Sequence, residues 1–107
     1  MKLWLDDVRP MPNDYDVWIQ DVNTAVYLIK SGHVDELSLD HDLGDGLVTG
    51  YDVAKLIEES AYNYDVKRII CHCHSANPVG KQQIEAAFKK ADKFWKEWEG
   101  KDRNFIL

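Results

Sequence analysis

The chain has 107 residues, 45% of them hydrophobic and 30% charged, and its formal net charge is −6 at pH 7. This length predicts a single domain over residues 1–107, and no apolar run approaches the roughly 20 residues that a membrane span needs. The negative charge argues against a broad nucleic-acid surface, which needs clustered lysine and arginine, but it leaves room for a small phosphorylated ligand. Nothing in this composition predicts an oligomeric state.

Two short apolar runs predict the first two strands, and a helical pattern follows them. The run Leu3–Leu5 ends abruptly at Asp6 and Asp7, two acids that come too early for a secretory signal peptide. Two prolines make the next segment a loop, and Val17–Ile19 is the second candidate strand. The first helix is predicted from a cap at Asn23 or Thr24, apolar spacing at Val22, Val26 and Ile29, and an end at Gly32.

The third predicted strand, Leu37–Leu39, leads into Asp40, His41 and Asp42. Burying two carboxylates beside an imidazole is costly, because each charge must lose its water. At the end of a strand the same groups cost little and can converge on a cation or a phosphate. After a turn at Gly44–Gly46, a second helix is predicted from the spacing of Val53, Ala54, Ile57 and Ala61.

The longest predicted strand is Val66–Cys73, and it ends in His74, Ser75 and Asn77. Strand alternation sends its two cysteines to one face and the neighbouring histidines to the other, which argues against a shared zinc site. The cysteines are too close for an unstrained disulfide, and they fit a reduced, cytoplasmic setting. His72 is interpreted as a packed core histidine.

The third helix has the clearest apolar period in the sequence, and Trp95 and Trp98 are interpreted as core packing. Its apolar stripe comprises Ile84, Ala87, Phe88, Ala91, Trp95 and Trp98, and Gly100 is its expected end. The tail Phe105–Leu107 is a candidate edge strand.

Strands that alternate with helices predict an α/β fold with a parallel sheet covered on both sides. Such sheets bind ligands beyond the carboxyl ends of their strands. Three of the predicted strands end in polar clusters, so we expect one site at this edge of the sheet.

The residue types in these clusters are those of phosphoryl chemistry, which needs a cation, a proton shuttle and a phosphate clamp. The expected ligands of Mg²⁺ or Mn²⁺ are Asp6, Asp7, Asp40 and Asp42. The expected catalytic residues are His41, His74 and Asp40, with either histidine able to serve as general base or acid. The expected phosphate ligands are Arg9, Ser75 and Asn77.

Four ordered blocks of the sequence resemble the cyclic-phosphate-processing receiver-like domain family. They are Leu5-Asp6-Asp7-x-Arg9-Pro10-x-Pro12, Ser38-Leu39-Asp40-His41-Asp42-Leu43-Gly44, Thr49-Gly50-Tyr51-Asp52 and His74-Ser75-Ala76-Asn77-Pro78-Val79-Gly80. The resemblance implies a single-domain receiver-like (flavodoxin-like) three-layer sandwich with a mainly parallel sheet of four to five strands. It also implies action on cyclic phosphates or related nucleotides, in bacterial or phage conflict and RNA-processing settings.

The wider resemblance is to response-regulator receivers, whose Mg²⁺-binding positions are matched by Asp6, Asp7, Asp40 and Ser75. Receivers also need a lysine at the end of a fifth strand, whereas Lys81 opens a helix here. Three hypotheses stay open on this basis. They are a metal-assisted phosphoesterase acting on a cyclic phosphate or nucleotide, a module that binds such a ligand without cleaving it, and a degenerate receiver that works through protein contacts.

Overall fold

The computed structural model describes residues 1–43 and 48–106, with side chains described as far as Gly100. Within these residues the elements are β1 (Lys2–Leu5), β2 (Val17–Ile19), α1 (Val22–Lys30), β3 (Glu36–Leu39), α2 (Gly50–Asn63), β4 (Ile70–Cys73) and α3 (Pro78–Ile106). None of the helices in this part of the chain is both long and apolar enough to cross a membrane. The predicted turn at Gly44–Gly46 lies outside the described residues.

The strands form one parallel sheet in the order β2-β1-β3-β4. Leu5 of β1 lies opposite both Ile19 of β2 and Leu39 of β3, and Leu39 in turn lies opposite Cys73 of β4. Because the strands run in the same direction, their carboxyl ends meet at a single edge. The predicted α/β receiver-like fold with a parallel sheet is confirmed, and the described residues contribute four strands to it.

One face of the sheet carries the apolar core. Its central residues are Leu3, Leu5, Leu37 and Leu39, all fully buried. They form a single cluster with the inward side chains of all three helices, including Ile29, Ile57 and Ile84. Alternation along β1 and β3 explains this arrangement, since every second residue of each strand is a leucine.

The connection between β1 and β2 covers part of the opposite face, around Trp4. Trp4 points to this face and lies outside the core cluster, yet it is only 6% exposed. Its indole N–H donates to the Arg9 carbonyl at 3.0 Å, and the Tyr15 ring meets it edge-on with the ring centroids 5.2 Å apart. The cover around Trp4 is therefore the segment 6–16, whose prolines disfavour a helix, and the described helices all lie on the other side.

The first helix begins earlier than predicted. Its cap is Asp21, whose carboxylate accepts the backbone N–H of Thr24 at 2.8 Å, so the prediction of a cap at Asn23 or Thr24 was wrong. This hydrogen bond lowers the pKa of Asp21. The helix ends where predicted, since Gly32 adopts a φ of 81°, a left-handed conformation that glycine tolerates best.

The fourth strand is shorter than predicted, beginning at Ile70 rather than Val66. The residues before it pack onto α3 instead of joining the sheet. The Val66 carbonyl accepts the indole N–H of Trp95 at 3.0 Å, and Arg68 forms ion pairs with two acids of α3 at 2.9 and 3.0 Å. The first contact occupies a backbone carbonyl that a longer strand would use for pairing, and the ion pairs hold Arg68 against α3.

The last helix is longer than predicted, because it continues through Gly100 to Ile106. Phe105 and Ile106 are therefore helical, and the prediction of an edge strand there was wrong. One glycine inside a long helix costs only about 1 kcal/mol, which is too little to end it. Trp95 is buried as predicted, whereas Trp98 is partly buried and donates its indole N–H to an α2 carbonyl at 2.9 Å.

Candidate active site

The three predicted polar clusters meet at the carboxyl edge of the sheet. The residue that follows each of β1, β3 and β4 donates its backbone N–H to the neighbouring strand, at 3.1, 3.0 and 3.0 Å respectively. These residues are Asp6, Asp40 and His74. The pairing of the apolar strands therefore continues one residue further and brings the three polar side chains together.

Three carboxylates converge at this edge. Asp6, Asp7 and Asp40 each present an oxygen atom, and these atoms lie within 4.8 Å of one another. Asp6 is buried, while Asp7 and Asp40 are partly exposed. Carboxylates at this separation repel each other unless a cation or a proton offsets their charge. Hard oxygen donors are the ligands that Mg²⁺ and Mn²⁺ prefer, so this donor set fits the predicted cation.

Both oxygens of the Asp6 carboxylate form hydrogen bonds within the protein. Its Oδ1 accepts the backbone N–H groups of Val8 and Arg9 at 2.8 and 2.7 Å, and its Oδ2 lies 2.9 Å from Nε2 of His74. Burial alone would raise the pKa of Asp6, but these donors outweigh it and the pKa lies below the usual 3.8. Asp6 is therefore ionised at neutral pH.

His74 uses both of its ring nitrogens inside the protein. Its Nε2 contacts Asp6, and its Nδ1 lies 2.7 Å from Oγ of Ser38. Because ionised Asp6 only accepts, Nε2 carries the proton and the Ser38 hydroxyl donates to Nδ1. The ring also stacks on Trp4, with centroids 3.7 Å apart and planes 7° from parallel. Burial lowers the pKa of His74 and outweighs the opposite effect of Asp6, so the ring is neutral at pH 7.

His41 lies in a different environment. Its Nδ1 is 2.9 Å from Oδ1 of Asp42, and the two side chains are 17% and 68% exposed. Its ring packs against Gly80 in the first turn of α3. A carboxylate on Nδ1 orients an imidazole and leaves Nε2 as the nitrogen that exchanges a proton. Asp42 thus contacts His41, and it lies outside the group of three converging carboxylates.

The predicted phosphate ligands lie beside the site, and each has a hydrogen bond within the protein. Arg9 donates from Nη1 to the His74 carbonyl at 2.7 Å. The hydroxyl of Ser75 accepts the Asn77 N–H at 3.1 Å, and Oδ1 of Asn77 accepts the Gly80 N–H at 3.0 Å, which caps α3. Arg9 is exposed and has further N–H groups, and the Ser75 hydroxyl and Asn77 amide remain able to donate. Their assignment as phosphate ligands stays a prediction.

Ser38 and Trp4, the two residues that hold His74, were not among the residues predicted from the sequence. Alternation along the strands is the signal that could have found them, because both lie on the face opposite the leucine core. The same alternation corrects the interpretation of His72 as a core residue, which was wrong. His72 is exposed on that face, with its Nε2 3.1 Å from a carboxylate oxygen of Glu36.

The fold and the site define a small α/β protein with a parallel sheet and an acidic cluster at its carboxyl edge. A family model, the cyclic-phosphate processing receiver domain, matches residues 1–90, and the chain belongs to this family. The matched residues include the whole described sheet, α1, α2 and every residue of the site. No curated protein and no solved structure matches the chain.

Proposed function

We propose that this protein is a metal-assisted phosphoesterase that hydrolyses a cyclic phosphate or cyclic nucleotide at the carboxyl edge of its sheet. The observation that carries the proposal is the convergence of Asp6, Asp7 and Asp40 within 4.8 Å, with the imidazole of His41 on the residue next to Asp40. Membership of the cyclic-phosphate processing receiver family supports the class of substrate.

Asp6, Asp7 and Asp40 are the residues that would hold a divalent cation, and their oxygens suit Mg²⁺ or Mn²⁺. When bound, the cation supplies positive charge that offsets the charge on the phosphate oxygens. Asp6 is the fixed member of the set, because two backbone N–H groups and His74 hold its carboxylate. Asp7 and Asp40 are partly exposed and can adjust to the ligand.

Hydrolysis of a cyclic phosphodiester adds the oxygen of water to phosphorus, breaks one bond between phosphorus and a ribose oxygen, and leaves a proton on that oxygen. His41 is the residue that moves the proton in this proposal, with Asp42 orienting its ring at 2.9 Å. His74 is the alternative, but both of its nitrogens are engaged, with Asp6 and with Ser38. We therefore give His74 the role of positioning Asp6.

The phosphate of the substrate is expected to lie near the start of α3. The dipole of a helix favours anions near its N-terminus. Arg9, Ser75 and Asn77 supply donors next to this helix end, and Arg9 can bind two phosphate oxygens at once.

A binding and turnover panel tests the proposal. Linear nucleotides, 3′,5′-cyclic nucleotides and 2′,3′-cyclic phosphates would each be added with and without Mn²⁺, and the melting temperature and the products would be measured in the same samples. Ligand that binds only the folded state raises the melting temperature. A shift together with a monoester product, both lost in Asp40→Asn, is the expected result.

Other outcomes of the panel would favour the alternatives. A shift with the ligand recovered intact would support a binding module that does not cleave. If no phosphate shifts the melting temperature and a small phosphodonor labels the protein, with the label lost in Asp40→Asn, the degenerate receiver would be favoured.

A further inference from the structure

The residues Asp40 and His41 lie between the first turns of two helices, and each helix presents a glycine to them. Gly50, the first residue of α2, donates its N–H to the His41 carbonyl at 2.9 Å. Gly80, in the first turn of α3, packs against the His41 ring. Both glycines are buried. Neither has the left-handed backbone that would require glycine for conformational reasons, so the requirement is for space.

The available space is too small for a methyl group at either position. A Cβ built on Gly50 would overlap the carbonyl of Asp40. A Cβ built on Gly80 would lie 2.5 Å from Cδ2 and 2.9 Å from Cβ of His41, and closest of all to Cγ. The overlap involves Cβ and Cγ of His41, so rotating the ring about the Cβ–Cγ bond would not relieve it. The backbone is also tied, because the Asp40 N–H donates to the Leu5 carbonyl at 3.0 Å.

We infer that Gly80 is a positioning residue for the reaction, because its missing Cβ lets α3 begin against His41 and hold the ring on Asp42. This inference rests on the proposed function, in which His41 moves the proton. It follows that a methyl group at position 80 displaces His41 but leaves the carboxylates of Asp6, Asp7 and Asp40 able to bind a cation.

The test compares Gly80→Ala with Gly100→Ala, a matched control in the same helix where an added Cβ meets nothing within 4 Å. The measurements are hydrolysis of 2′,3′-cyclic AMP, affinity for Mn²⁺ alone, and melting temperature. Gly80→Ala should lose turnover by about 100-fold or more, the contribution expected of a general acid or base. Its Mn²⁺ affinity should change less than about threefold, and its melting temperature should fall by about 5 °C. Gly100→Ala should keep wild-type turnover.

A second pair of variants isolates the contact with the ring. In a His41→Ala background, adding Gly80→Ala should lower the melting temperature much less, because Cγ and Cδ2 of the ring are gone and only the contact with Cβ of residue 41 remains. An equal loss of melting temperature in both backgrounds, or wild-type turnover by Gly80→Ala, would overturn the inference. If the wild-type protein hydrolyses no cyclic phosphate, the proposed function fails, and the inferred catalytic role of Gly80 fails with it. The melting temperatures would then still decide whether Gly80 holds His41.

Discussion

The two histidines at the carboxyl edge of the sheet are similarly exposed, at 13% for His74 and 17% for His41, but they differ in their hydrogen-bond partners. Both ring nitrogens of His74 contact buried side chains, those of Asp6 and Ser38, and the ring stacks on Trp4. His41 contacts the exposed Asp42 through Nδ1. The contrast teaches that an imidazole near a carboxylate can serve two purposes. It holds the carboxylate when both ring nitrogens are engaged, and it is suited to proton transfer when one nitrogen is left to the ligand.

The largest expected effect on stability separates two adjacent acids. Asp6→Ala removes the acceptor for two backbone N–H groups and for His74, so it should lower the free energy of unfolding by about 3 kcal/mol. Asp7→Ala should stay within about 0.5 kcal/mol, because this side chain is partly exposed. Urea unfolding in the presence of a chelator measures both. Equal losses would contradict the distinction between the buried Asp6 and the partly exposed Asp7.

Stability should also fall in mild acid, and His74 should account for part of the slope. Burial lowers the pKa of His74 in the folded protein below the usual 6.5, so the unfolded chain takes up a proton first as the pH drops. The contribution of His74 to stability is therefore complete above about pH 6.5 and is lost as the pH falls toward the folded-state pKa, by up to about 1.4 kcal/mol per pH unit.

The His74→Gln variant is the control for this slope. Urea unfolding of the metal-free protein at several pH values between about 5 and 7 should give a shallower slope for the variant than for the wild type. Identical slopes would mean that protonation of His74 costs nothing in the folded protein. The hydrogen bonds around Asp6 would then accommodate a protonated His74. The claim that His74 is held neutral beside Asp6 would be contradicted.

A smaller difference is expected between the second partners of the two histidines. Ser38→Ala removes the buried hydroxyl that donates to Nδ1 of His74, and the free energy of unfolding should fall by about 1 kcal/mol. Asp42→Ala removes an exposed carboxylate from His41 and should cost no more than about 0.5 kcal/mol. Thermal or urea unfolding of the two variants measures this difference. A larger loss of stability in Asp42→Ala than in Ser38→Ala would contradict the claim that the contacts of His74 contribute more to stability than that of His41.

The place of the site was predictable from the sequence, because polar residues follow three apolar strands and parallel strands bring their ends together. Asp6, Asp40 and His74 are the residues that directly follow β1, β3 and β4. The different roles of the histidines were not predictable, since they depend on what lies opposite each ring. Ser38 reaches His74 from a neighbouring strand, and Gly80 meets His41 from a helix 39 positions further along the chain.

The errors in the predicted elements have the same origin. Val66 and Ile69 fit the apolar pattern of a strand, but this segment contacts Trp95 and two acids on α3, far away in sequence. The pattern of apolar residues in a segment indicates which side chains are buried. Contacts with residues distant in sequence determine whether that segment joins the sheet or packs on a helix. The local pattern of the tail from Phe105 likewise favours a strand, but the preceding helix continues through Phe105 and Ile106.

The measurement that tests the central claim most directly is a ³¹P NMR time course of 2′,3′-cyclic AMP with Mg²⁺ and the wild-type, His41→Ala or His74→Gln protein. We expect the wild type to convert the cyclic phosphate resonance into that of a monoester. His41→Ala should lose this activity by about 100-fold or more, and His74→Gln should retain more activity than His41→Ala. An intact cyclic phosphate with the wild type would contradict the proposed function, and undiminished turnover by His41→Ala would contradict the division of roles between the two histidines.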